Sequence, residues 1–167
     1  MIFTATADGW FTWDGQCVRC AIGKGGAKPA AGKREGDGAT PLGEWPIRRL
    51  LYRGDRGGEP ITALPALPIG RADGWCDAPG DTNYNRPITL PYPASAEHLW
   101  REDHIYDLIV VLGHNDDPPV AGLGSAIFLH LARPDYSPTQ GCVALAREDL
   151  EAVLAAARPG DVLAIRA

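Results

Sequence analysis

Basic charge is scarce in this sequence. Its 167 residues hold 16 Lys and Arg against 21 Asp and Glu, a formal net charge of −5 at pH 7. No basic stripe is available to neutralise phosphates, which argues against nucleic acid as a partner. Long apolar runs are missing too. The longest, residues 108–112, reads as a buried strand and is far too short to cross a bilayer, so no membrane span is expected. The opening stretch Met1-Ile-Phe-Thr-Ala-Thr-Ala-Asp8 has neither a cationic region nor a long apolar core and does not read as a signal peptide. A removed leader, another export route or an internal location all remain compatible with that. Repeats, low-complexity tracts and linkers are also lacking, and the length suits one domain over residues 1–167.

Cysteine is sparse: Cys17, Cys20, Cys76 and Cys142 are all there is. Cys17 and Cys20 have the gap of zinc and redox motifs. They lie, however, in a segment that reads as a strand after the Asp14-Gly15 turn, where residues three apart point to opposite faces. No second pair exists to complete a four-thiolate site, and Gly23, Gly25 and Gly26 argue against the helix a redox pair would need. Structural cysteines are the expectation, and no cofactor is implied.

Turn formers are plentiful, with 20 Gly and 15 Pro, so short strands are expected over long helices. Strands are predicted over residues 2–6, 9–13, 17–22, 44–52, 105–113, 126–132 and 161–167. Residues 23–38 read as a glycine- and lysine-rich loop. Residues 54–74 read as an irregular wall or lid, continued by an aromatic and polar stretch that includes Tyr84 and Arg86. Ser95 is placed as the N-cap of a short helix ending at Trp100. A second helix is predicted over residues 147–157, with Leu150, Val153, Leu154 and Ala157 at helical spacing. The fold class is mainly β (α+β), a single domain with one or two helices.

The chemistry concentrates near the C-terminal third. Ser125-Ala-Ile-Phe-Leu-His130 reads as a strand ending near the imidazole. Pro134 and Pro138 force a loop, and Thr139-Gln140-Gly141-Cys142 returns from it. A thiol needs an adjacent base or cation to become an efficient nucleophile, and His130 is the imidazole nearest to Cys142 in sequence. Gly141 lets the backbone approach a substrate closely, and the amides of Gly141 and Cys142 are candidate oxyanion donors. Thr139 is placed as a residue that positions the loop. The bland alternative is a core histidine beside a buried cysteine that packs as a small hydrophobe.

The segment from His130 to Cys142 and Val143 resembles the signature of the YkuD-type L,D-transpeptidases: a His, a loop, then Ser/Thr-any-Gly-Cys and an aliphatic residue. Lys33-Arg-Glu-Gly-Asp-Gly-Ala-Thr40-Pro41-Leu-Gly43-Glu-Trp45 resembles the Thr-Pro-any-Gly-any-aromatic hairpin of the same family, and the two occur in the family's order. Gln140 stands where His or Lys is frequent, Ala144 where Arg or Asn often follows, and the His-to-Cys loop is short, as in a compact branch. The resemblance implies a mixed β-sandwich and a cysteine-dependent cross-linking of peptidoglycan stem peptides. Cys142 would be the nucleophile, one that carbapenems acylate, and His130 its base. A periplasmic or cell-envelope location and a monomer follow from the same likeness. An acceptor amine on diaminopimelate would give 3–3 bonds and one on a stem's L-alanine 1–3 bonds. Water in its place would make the site an L,D-carboxypeptidase.

Stem peptides end in carboxylates, and guanidinium groups pair with these bidentately, so Arg133 and Arg86 are candidate substrate contacts. Gln140, Thr139, Tyr84 and His114 complete the expected wall. Two other classes remain in view. His114-Asn-Asp116-Asp117 could feed a metallohydrolase site, although it also reads as a strand-ending turn. A non-catalytic wall-binding module is the other, and it would have no need of the Cys and His.

Overall fold

One long strand organises the molecule. The computed structural model describes residues 1–167, and in it Thr40–Tyr52 runs as a single strand, β5. Ahead of it come β1 (Ile2–Thr6), β2 (Trp10–Trp13), β3 (Gln16–Ala21) and β4 (Ala27–Pro29). After it come β6 (Ala66–Pro68), β7 (Asp73–Cys76), β8 (Pro87–Thr89) and β9 (Ala96–His98). The chain ends with β10 (Leu108–Leu112), β11 (Phe128–Leu131), β12 (Val143–Leu145), helix α1 (Arg147–Ala156) and β13 (Val162–Arg166).

The first half of β5 pairs with β13 (Gly43 with Ile165 through Pro46 with Val162) and the second half with β10 (Leu51 with Ile109, Leu50 with Val110). The remaining order β10-β11-β12-β3-β2-β1-β13 therefore returns on itself, and the sheet closes like a barrel. A separate three-stranded sheet, β8-β7-β9, packs outside it. The result is a mainly β fold with one helix.

Side-chain alternation divides the closing strands between two cores. In β10, Leu108, Val110 and Leu112 point into the barrel with Phe3, Phe11, Leu50, Leu129, Leu163 and Ile165. Ile109 and Val111 point the other way, to a second cluster with Leu51, Trp75, Tyr106, Phe128 and Cys142. A strand buried on both faces reads as an unbroken apolar run, which is what Leu-Ile-Val-Val-Leu is. Helix α1 covers one end of the barrel with Leu150, Val153 and Leu154. Glu148 and Asp149 in its first turn complement the helix dipole, and the Arg158 guanidinium donates to the carbonyls of Ala155, Ala156 and Ala157 at its end.

Three expectations need correction. The helix placed from Ser95 to Trp100 is instead β9: Ala96, Glu97 and His98 pair with Cys76, Trp75 and Gly74. An isolated turn of helix is too short to nucleate, and the ladder on β7 offers the same backbone groups partners at once. The irregular 54–74 stretch contains β6, drawn into register by Leu50 and Tyr52 of β5, and the 23–38 loop contains β4, paired with Thr40 to Leu42. Cys17 and Cys20 stand apart on their strand, the first exposed and the second buried.

Candidate active site

Strand period places the imidazole. In β11, Leu129 and Leu131 enter the barrel, so Phe128 and His130 face the layer between the barrel and the small sheet. Parallel pairing of Leu129 with Val143 and His130 with Ala144 brings the start of β12 alongside, with Cys142 just ahead of it. Cys142 and His130 line one cavity of about 470 Å³. Thr139, Gln140, Arg133, Ser137 and Pro138 from the connecting loop line it too, as do Lys33, Glu35, Asp77, Glu97, Arg101 and Tyr106.

The turn before Cys142 is held by one hydroxyl. Thr139 Oγ1 donates to Cys142 O (2.7 Å) and accepts from Gly141 N (3.1 Å). Gly141 has φ +132°, and a Cβ on it would come within 2.9 Å of Ala39 O, so both conformation and space require glycine there. This amends the expected oxyanion pair: the Gly141 N–H is already engaged by Thr139, whereas the Cys142 N–H has no protein acceptor.

Cys142 Sγ sits between a donor and an acceptor from the segment leading into β11. Phe128 N–H donates to it (3.4 Å), and its S–H donates to Ala126 O (3.2 Å). Ala126 is unusual, a non-glycine at φ +52°, a conformation that persists only when its surroundings impose it. Here the imposing group is Asn85. Its buried Oδ1 accepts from Ala126 N (3.0 Å) and Trp75 Nε1 (2.9 Å), and its Nδ2 donates to His114 O (3.1 Å) and Asn115 O (2.7 Å).

His130 Nδ1 lies 2.9 Å from Leu131 O. A carbonyl can only accept, so Nδ1 carries the proton and Nε2 keeps its lone pair. Burial holds the imidazole down to about 4, so it is neutral at pH 7. Burial, and after it the charge of Glu97, pushes the Cys142 thiol up to about 12. The cavity therefore holds a neutral thiol and a neutral imidazole, a base with its acceptor nitrogen open. Such a pair can form a covalent acyl intermediate once a substrate lowers the cost of separating charge.

The other residues expected here divide. Arg133 lines the cavity, half exposed, 3.5 Å from Asp103. Arg86 does not line it: it is exposed in the β7–β8 connection, where its amide donates to Asn83 O and its carbonyl accepts from Cys76 N. Tyr84 is buried behind the wall, its hydroxyl donating to Glu35 Oε2 (2.5 Å) and accepting from Gly124 N. His114 also lies off the wall, its Nε2 bonded to Leu123 O (3.0 Å) and its ring edge-on to Trp45. Asp116, which a metal reading would recruit, is held by Arg48 through two hydrogen bonds. No trio of His, Cys, Asp or Glu converges as metal ligands would.

Sequence reasoning missed Asn85, Glu97, Arg101 and Tyr106, and it gave Lys33 and Glu35 no role. Lys33 is buried, its ammonium bonded to Asp37 (2.6 Å) and Arg34 O (2.7 Å). Lys33 and Glu35 open the Thr40-Pro41 motif, a signal that was present. Glu97 was hidden by the helix assignment.

The model of the family described as the L,D-transpeptidase catalytic domain, YkuD, matches residues 5–165. Among curated proteins, none matches the sequence. Among solved structures, the chain is similar to an L,D-transpeptidase from Mycobacterium smegmatis (15% identity, TM-score 0.43), covering 99% of this chain and 58% of that one. It is also similar to L,D-transpeptidase 1 of Mycobacterium tuberculosis (14%, 0.40), covering 99% and 61%. A third is the helical cell shape determining protein Pgp2 from Campylobacter jejuni (16%, 0.42), covering 98% and 46%. The chain thus spans less than two thirds of the length of each. The family match runs over nearly all of the chain and takes in the Thr40-Pro41 strand, His130 and Cys142: this chain belongs to the YkuD L,D-transpeptidase catalytic-domain family.

Proposed function

We propose that this chain is a cysteine-dependent L,D-transpeptidase acting on peptidoglycan stem peptides. The observation that carries the reading is the sharing of one cavity by Cys142 and His130, with Nδ1 of the imidazole fixed on Leu131 O and Nε2 open. Its volume, about 470 Å³, suits the end of a peptide.

In this reading His130 Nε2 takes the thiol proton as Sγ attacks the carbonyl of the L-centre before the terminal D-residue. The Phe128 N–H supports the sulfur as it gains charge, and the Cys142 N–H is the donor available to the carbonyl oxygen. The C–N bond breaks, the D-residue leaves with the proton held by His130, and a thioester remains on Cys142. An amine then attacks the thioester, and the thiol returns. Arg133 faces the same space and suits a carboxylate of the stem. No step calls for a cofactor, and one chain supplies every group. The substrate lies in the cell envelope, which places the protein there. No helix is long and apolar enough to cross a membrane.

The test is incubation with disaccharide-tetrapeptide followed by mass spectrometry. The expected products are the free D-residue and cross-linked dimers, with the new bond located by fragmentation as 3–3 or 1–3. Tripeptide without dimers would make the protein an L,D-carboxypeptidase. Untouched substrate would overturn the assignment.

A further inference from the structure

The cavity wall holds a carboxylate that those steps leave unused. Glu97 sits in the middle of β9, where pairing with Trp75 turns its side chain away from Ala96 and His98. Its Oε1 accepts from the Tyr106 hydroxyl at 2.5 Å, and the Tyr106 ring stands edge-on to His130 with centroids 5.2 Å apart. Its other oxygen, Oε2, has no partner in the protein, and the residue lines the cavity with Cys142 and His130. Asp77 lines it too, and its Oδ1 is a buried acceptor with no donor. Buried acceptors left without a donor are few in native proteins, because each has given up its bonds to water. The third acid of the cavity, Glu35, accepts from the hydroxyls of Tyr84 and Ser125, both on Oε2.

Glu97 works against the nucleophile, since its charge adds to burial in holding the thiol protonated. Of the cations that line the cavity, Arg133 is half exposed beside Asp103 and the other two are bound to carboxylates other than Glu97 and Asp77. Lys33 is on Asp37, and Arg101 is on Asp103 through two hydrogen bonds. A locked carboxylate with one open oxygen, beside a second orphaned carboxylate oxygen, is complemented by a cation rich in N–H groups.

Resting on the transpeptidase reading of the site, we propose that Glu97 is a specificity-determining residue that binds the ammonium of the acceptor stem peptide through Oε2, with Asp77 flanking it. An ammonium cannot attack a thioester until it loses a proton. It gives one to the Glu97 carboxylate, whose proton affinity is raised chiefly by burial. The neutral amine then attacks the thioester carbonyl: the C–N bond forms, the C–S bond breaks, and a second amine proton passes through His130 to the Cys142 sulfur. Glu97 releases its proton to solvent, where the amine of the departed D-residue takes one up, so the cycle as a whole neither frees nor consumes a proton. Water has no charge for Glu97 to hold, so this group favours amine over water at the thioester, a selection by proximity.

Glu97→Gln keeps the shape and removes the charge. With disaccharide-tetrapeptide as donor and acceptor, the expected result is retained tripeptide release and a fall of about tenfold in the ratio of dimer to tripeptide, the scale of one charge-assisted hydrogen bond. Acylation of Cys142 by a carbapenem, followed by intact mass, should be no slower than in the unmodified protein, which also certifies the fold. Glu97→Asp should recover part of the ratio. An unchanged ratio with acylation intact would overturn the proposal. Slower acylation by the tetrapeptide at an unchanged ratio would put the ammonium on the donor and overturn the acceptor assignment. Failure of the unmodified protein to be acylated at all would instead bring down the transpeptidase reading beneath it.

Discussion

The two faces of β11 contrast the barrel interior with the layer outside it. Leu129 and Leu131 enter a core made almost wholly of aliphatic and aromatic side chains, where area removed from water decides the packing. Phe128 and His130, one residue away, face a layer holding Glu97, Tyr106, Arg101, Asn85 and Cys142. There most polar groups are held by a named partner, because an unpaired one costs more than a typical contact gains, and the few left open face the cavity. The barrel interior is specified by hydrophobic pattern, which many sequences satisfy. The outer layer is specified by individual hydrogen bonds, and it is there that reactive groups can be held at unusual protonation.

The sharpest break in that comparison is Cys142→Ala. It should abolish turnover and carbapenem labelling while the thermal midpoint stays close to that of the unmodified protein, and His130→Ala should lose nearly as much activity, since groups acting as a unit fail together. Labelling that persisted on Cys17, Cys20 or Cys76 would refute the site.

Next come paired truncations of neighbours on β11. Leu129→Ala should cost about 3 kcal/mol in denaturant unfolding, the usual size for a buried leucine, while acylation per folded molecule survives. Phe128→Ala should cost a similar amount and also slow acylation, because Phe128 packs edge-on against Trp75 (5.1 Å) and its amide supports the sulfur. Equal effects of the two on acylation would erase the distinction between the layers.

The imidazole gives a pH test of comparable size. His130 is held at about 4 in the fold against an ordinary 6.5, so the unfolded chain binds more protons between those values. Its contribution is present above about 6.5 and is lost as pH falls toward 4, a swing on the order of 3 kcal/mol. The buried His114, also lowered chiefly by burial, acts in the same direction. Unfolding free energies from pH 7.5 to 4 should show this slope, and His130→Gln should flatten most of it. With the thiol at about 12, alkylation of the empty protein by iodoacetamide should rise steadily through pH 9. A plateau near neutrality would show a thiolate that the geometry does not support.

Asn85→Ala should cost about 2 kcal/mol by leaving the Trp75 and Ala126 donors unpaired, and it should slow acylation through the released Ala126 carbonyl. The smallest effects separate the two arginines. Arg133→Ala should raise KM for the tetrapeptide a few-fold with kcat little changed, whereas Arg86→Ala, exposed and off the wall, should leave both kinetics and stability as they were.

What was legible in the sequence follows the same division. The alternation of β1, the unbroken apolar run of β10 and the spacing of Leu150, Val153 and Leu154 in α1 are signals set by area burial, and they were readable in place. The meeting of His130 and Cys142 was readable because a strand, two prolines and a glycine leave few ways for the loop to return. Glu97 and Asn85 were not. Three residues of β9 are too few for a period to show, and Ser95 carries a local capping signal that pairing with β7 overrides. Asn85 joins Trp75, His114, Asn115 and Ala126, all remote in sequence, so nothing nearby betrays its role. Tyr84 and Arg86, its neighbours, drew notice for chemistry that the buried amide between them carries.

Closure of the sheet through β5 and β10 also bears on how the protein behaves at high concentration. A strand with a free side is a template on which another chain can grow. In the closed ring those sides are used, and what remains unpaired belongs chiefly to β4, β6, β8 and β9, each only three residues long. The folded protein thus offers little on which to nucleate a fibril. Until residues 47–52 find residues 108–112, however, the apolar β10 and the second half of β5 stand open, and aggregation during refolding should track the time the ring takes to shut rather than the stability reached once it has.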